Sequence, residues 1–117
     1  MTGFLRGWAK GAAVADVAPD VAAALAQRSA TQEWDNVEAG QSLFAVAQKL
    51  NKSHTDLYGD LQPAVWRNVQ GTLVKFGELE KEIDPSGFLD DSFIAAANDF
   101  DKEEVARVAA DWKAKNM

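Results

Sequence analysis

The 117-residue chain carries 47% hydrophobic and 26% charged residues, no cysteine, a formal net charge of -6 and a pI of about 4.6. That length allows one domain with one modest core, and the composition is that of a folded chain rather than a disordered one. Without cysteine, disulfides, thiolate catalysis and sulfur-bound zinc are excluded, and the acidic balance works against broad phosphate binding, which needs a Lys or Arg at each contact.

No stretch alternates apolar and polar residues for long and alanine is abundant, so the expected fold is all-α. The pattern predicts a compact bundle of five or six short-to-medium helices over residues 1–117, with one longer central helix at about 61–83. Residues 1–15 open with Arg6 and Lys10 and no acid before Ala15. Gly3, Gly7 and Gly11 recur every four residues in GFLRGWAKG, a spacing that strips one helix face of side chains and lets another backbone approach. Each glycine costs roughly 1 kcal/mol of helix propensity. The segment is therefore expected to dock on a partner or a neighbouring subunit through Gly3, Phe4, Leu5, Gly7, Trp8 and Gly11.

Asp16 and Pro19 suggest a fresh helix start, with Val17, Val21, Ala24, Leu25 and Arg28 along one side. Ser29 and Gln32 have capping-box spacing and predict a next helix carrying Trp34 and Val37, stopped at Gly40. A helix from Ser42 places Leu43, Val46, Ala47 and Leu50 on an inward stripe, with Asn51 as a left-handed end and Ser53 capping a short helix through Leu57. Asp60 and Pro63 start the long helix, whose inward residues are Leu61, Val65, Val69, Leu73, Phe76, Leu79 and Ile83. IDPSG breaks the chain at Pro85 and Gly87. A short apolar helix with Phe88, Leu89, Phe93, Ile94 and Ala97 follows, and Asp101 with Glu104 caps a last helix that turns Val105, Val108 and Trp112 inward. WDNVEAG and WRNVQGT share W-x-N-V at a 32-residue offset; two Trp anchors in a core explain this better than a helical repeat.

Catalytic equipment is sparse. His54 is the single histidine, so histidine pairs and histidine-rich metal sites are excluded, and Ser53 and Asp56 lie too near it in sequence for a triad. There is no GxxxxGK, GxGxxG or HExxH. Counting an EF-hand loop from Asp84 puts Gly87 at position four rather than six and Ala95 at position twelve, where a bidentate Glu is required. No catalytic residue, cofactor or metal is expected.

VAQKLNKSHTDLYGDL resembles the helix-turn-helix pattern at Val46, Ala47, Leu50, Asn51, Ser53 and Leu57 and departs from it at Lys52 and Asp60. That resemblance implies a DNA-binding regulator or packaging factor with contacts at Lys49, Lys52, His54 and Thr55, although two aspartates on the second helix would repel phosphate. Residues 78–104 hold ten acids against Lys81 and Lys102, which raises an acidic inhibitor or immunity-type protein, docking a basic partner through Glu78, Glu82, Asp90 and Asp91.

The leading expectation is a non-enzymatic helical subunit that works through protein surfaces, with a protein partner or as a homo-oligomer, such as a small connector or ejection-type virion component. Nucleic acid is disfavoured by charge, and membrane contact by GFLRGWAKG would be marginal. Asp16, Pro19 and Asp20 interrupt any signal-peptide core, so a cytoplasmic, intracellular or virion location is expected.

Overall fold

In the computed structural model, residues 1–52 and 55–117 are described, the side chains of Thr31 and Glu33 excepted. The fold is all-α, with six helices among the described residues: α1 (Thr2–Val17), α2 (Pro19–Ser29), α3 (Val37–Leu50), α4 (Pro63–Lys75), α5 (Ile94–Ala97) and α6 (Lys102–Asn116). Short 3-10 turns at Thr31–Trp34 and Pro85–Gly87 join some of them.

Pro19 decides the first corner. Having no N–H, it cannot continue the ladder of α1, but its fixed φ suits the first position of a new helix. Ala18 takes the bend at φ -144°, ψ 66°. The two helices then pack on each other, and both reach α6, while α1 also lies against α5. The residues buried in this bundle are small: Ala9 and Ala13 of α1, Val21 of α2, Ala97 of α5, Val105 and Ala109 of α6. Alanine lets backbones approach closely but buries little apolar area, so polar groups at the rim share in holding the helices together. Arg6 donates from Nε and Nη2 to the Ala96 carbonyl at 3.2 and 2.7 Å. Lys113 donates to Asp20, which holds that carboxyl below its usual range, and the Arg28 guanidinium lies 4.8 Å from the Trp112 ring centroid.

Asn98, just past α5, ties the 55–62 connection to this bundle. Its Oδ1 accepts from the Tyr58 N–H at 2.8 Å, and its Nδ2 donates to the Tyr58 and Ile94 carbonyls. Tyr58 in turn donates its hydroxyl to Asp16, and Lys102 sits over its ring while donating to the Asp56 carbonyl. Gly59 holds φ 77°, with the Trp8 ring 3.2 Å from where a Cβ would stand. Partial burial, then the hydrogen bond and charge of Asp16, push the Tyr58 hydroxyl up to about 12. Its protonated form is therefore favoured by folding, so the stabilisation is complete below the unfolded value near pH 10 and is lost as pH rises toward 12. Because Tyr58 is the single tyrosine, absorbance at alkaline pH reads it directly. Folded protein should ionise it well above a urea-unfolded sample, and Asp16→Asn should lower the midpoint; coincident curves would refute the contact.

The elements outside the bundle give the molecule its shape. A compact chain of this length has a radius of gyration of about 13 Å; this one measures 17.4 Å, with extents of 53 × 34 × 21 Å. α3 is held by α2 and by the 3-10 turn, where buried Trp34 meets Phe44 with ring centroids 6.4 Å apart. α4 packs mainly on the segment that follows it. Gln70, buried on α4, pairs with the Ile83 backbone in both directions, donating to the carbonyl at 3.0 Å and accepting from the N–H at 2.7 Å. Trp66 meets Phe88 edge-on.

Several boundaries differ from expectation. The helix expected over 61–83 stops at Lys75: Gly77 takes φ 78°, and its N–H and that of Glu78 return to the Val74 and Leu73 carbonyls, a Schellman end. It is also peripheral rather than central. Ser29 does not cap; its hydroxyl donates to the Leu25 carbonyl, and Asn36 caps α3 instead. Gly40 lies within α3, where its missing Cβ leaves room for the Trp34 ring, 2.6 Å away from that position. Asn51 ends α3 at φ -92° rather than in the left-handed region. Helix α5 spans only Ile94–Ala97, so Phe88, Leu89 and Phe93 precede it. Val108 faces outward, while Asp101 does cap α6, accepting from the Glu103 and Glu104 N–H groups.

Candidate interaction surface

The inward face of α1 is fully used, and on the opposite face the Trp8 ring meets Gly59 while Gly3, Phe4 and Gly7 lie open. At 100° per residue, Gly3, Phe4, Gly7, Trp8 and Gly11 fall on one side of the helix, away from Ala9 and Ala13. A Cβ at Gly3, Gly7 or Gly11 would meet nothing within 4 Å, and Phe4 is 76% exposed. Leu5 is half-buried on the other side, so five of the six predicted interface residues share the open face and Leu5 does not. The charges of α1, Arg6, Lys10 and Asp16, lie off that face and are engaged with Ala96, the Phe100 ring and Tyr58. A helix apolar on both sides is one made to be covered.

α3 repeats the pattern. Phe44 points to Trp34, whereas Leu43 (71% exposed), Val46 (53%) and Leu50 (79%) project outward. The stripe expected to face the core thus faces solvent, because Trp34 captures the Gly40–Phe44 side of the helix. On α4, Val65, Trp66, Val69 and Leu73 are all exposed, as is Phe76 just past its end at 72%, while polar Gln70 takes the buried position. Isolated apolar side chains on a surface are ordinary, but contiguous helix faces of this size mark interaction sites.

Two open grooves separate α3 from the bundle. One of about 820 Å³ runs between α2 and α3, with Ala23, Ala24, Trp34, Phe44 and Lys49 on its walls. The other, about 700 Å³, lies between α1 and the end of α3, bordered by Trp8, Gly11, Ala15 and Leu50. Among the described residues every buried polar side-chain atom has a hydrogen-bond partner, so neither groove presents an orphaned group that calls for a small polar ligand. No cluster of three or more metal-ligating side chains occurs among the described residues, and none of their helices is long and apolar enough to cross a membrane.

The residues of the DNA reading are not arranged as a reader. Lys49 ends α3 and Lys52 follows it, both exposed. Residues 55–62 are bends and turns rather than the second helix of a helix-turn-helix, with Thr55 bonded to Leu57. His54, and the Ser53 cap expected beside it, lie outside the described residues. The corner resembles that motif in sequence because a small Ala47 and a turn-forming Asn51 suit any helical corner; Tyr58 and Gly59 then hold the connection in a non-helical course. Of the acidic residues, Glu78, Glu82, Asp90 and Asp91 are all exposed. The Ser92 side chain, and then its N–H at 3.0 Å, hold the Asp90 carboxyl below the usual range, and the Ser86 hydroxyl and N–H do the same for Asp84. These are turn-forming contacts and do not converge on one point. No protein family, curated protein or solved structure matches this chain.

Proposed function

We propose that this protein is a helical assembly subunit that acts through protein surfaces rather than by catalysis. The observation that carries the reading is the placement of its apolar side chains: the fully buried core is mostly alanine and valine, while Phe4, Leu43, Leu50 and Phe76 all lie outside. A chain of this size gains most of its stability from apolar burial, and Phe4, Leu43, Leu50 and Phe76, which could supply more of it, are left largely in solvent. Binding a partner would remove those side chains from water and add to the stability of the fold by mass action.

Substitution on the open face of α1 tests the reading without disturbing the core. Gly7→Ala and Gly11→Ala meet empty space, so each should stabilise the separated chain by about 0.5–1 kcal/mol through helix propensity. Gly7→Leu with Gly11→Leu should also leave the fold intact, while displacing whatever backbone approaches there. Sedimentation of the purified protein, alone and with proteins cross-linked to it in its own cells and then identified, should show particles heavier than 12.7 kDa that the double leucine variant loses. A chain that sediments at 12.7 kDa under every condition and joins no identified partner would overturn the reading.

A further inference from the structure

We propose that two copies of the chain pair antiparallel along the outer face of α3. The proposal rests on the assembly reading above and names the surface and the partner. Ala39, Leu43, Val46 and Leu50 are all exposed and follow one another at four, three and four residues, the spacing of a two-stranded helical seam. At 100° per residue they fall within an arc of about 60°, and no charged residue interrupts it.

The charges beside the stripe select the occupant. Asp35 and Glu38 stand at the start of α3, Lys49 and Lys52 at its end, and all four are exposed. Asp35 and Lys52 are equidistant in sequence from a point between Leu43 and Phe44, and so are Glu38 and Lys49. A twofold axis through that point therefore sets both acids of one copy opposite both bases of the other, the self-complementarity that an isologous interface requires. Glu38 and Lys49 are eleven residues apart, about three turns. They lie on the same flank of the helix, and the twofold keeps that flank facing its counterpart. A parallel pair would instead stack acid on acid and base on base.

The register that matches the charges also meshes the seam. Leu43 comes beside the second copy's Leu43, and Val46 falls between the second copy's Leu43 and Ala39. Opposed helix directions add a favourable alignment of dipoles. The open faces of α1 and α4 carry no such ordered pair of charges, and so do not specify a second copy in the same way. A seam of 14 residues buries less than a standard interface of about 800 Å² per partner, which points to an affinity on the order of micromolar.

Sedimentation equilibrium of the full chain over about 1–100 µM spans that affinity. The apparent mass should rise from 12.7 kDa toward twice that value. Leu43→Asp should weaken pairing by about a hundredfold, since it places two unpaired carboxylates in an apolar seam; its circular dichroism should be unchanged because Leu43 is exposed. Asp35→Lys with Glu38→Lys, and separately Lys49→Glu with Lys52→Glu, should each weaken self-pairing about tenfold, and an equimolar mixture of the two variants should associate again. The chain has no cysteine, so a Leu43→Cys variant should cross-link to itself on oxidation, whereas Phe76→Cys should not. A mass of 12.7 kDa throughout overturns the proposal, as does a charge-variant mixture that fails to recover. Association indifferent to Leu43→Asp also overturns it, while leaving the assembly reading standing on another face.

Discussion

Trp34→Ala should destabilise the protein by about 3 kcal/mol or more, the cost of removing a buried aromatic side chain and leaving its cavity. Trp34 is 9% exposed and is the largest side chain in a core otherwise made of alanine, valine and proline. Its ring lies against Gly40 and Phe44, and α3 touches the rest of the chain through this turn and α2. Without the ring, α3 loses the contact that decides which of its faces points inward. Urea unfolding followed by circular dichroism should show a lower midpoint and a shallower transition, because α3 detaches ahead of the bundle. A midpoint shift worth less than about 1 kcal/mol would mean that α3 is held by something other than Trp34.

Asn98→Ala should cost about 2 kcal/mol, since one part-buried amide satisfies the N–H and carbonyl of Tyr58 and the carbonyl of Ile94 together. Truncation leaves the Tyr58 N–H and carbonyl to find water in a crowded place, while the Ile94 carbonyl keeps the Asn98 N–H. The effect should be local first: hydrogen exchange at the Tyr58 amide should accelerate, and the Tyr58 hydroxyl should move from about 12 back toward its ordinary value as the connection lifts away from Asp16. Asn98→Asp keeps an acceptor for the Tyr58 N–H but turns two donations into repulsions, so it should be at least as damaging at neutral pH. Unchanged exchange at Tyr58 in both variants would show that the clasp does not depend on the amide.

Local chemistry was legible where one residue decides the backbone. Pro19 and Pro63 start helices because the lack of an N–H costs nothing at a first turn. Asp101 caps α6 because its carboxylate reaches two free amides. Asp84 and Pro85 form the expected break. Gly77 carried an equally readable stop signal, a glycine after the last periodic residue, but the run from Leu61 to Ile83 masked it, since apolar residues at threes and fours continue on the far side of the turn. The open glycine face of α1 was legible in its spacing; the inward turn of Leu5 was not, because helix phase depends on which neighbour the helix meets.

The amino-acid pattern by itself determined that the chain is helical, where α2, α4 and α6 begin, that it has no sulfur chemistry, and that α3 and α4 each carry an apolar stripe. Which side of those stripes is covered was decided by tertiary structure alone. Periodicity states that a face is apolar, but covering it takes a neighbour within reach. Trp34, seated on Gly40, claims the Phe44 side of α3, and the Gln70–Ile83 pairing turns the polar side of α4 inward, so the longer apolar faces are left to meet another surface.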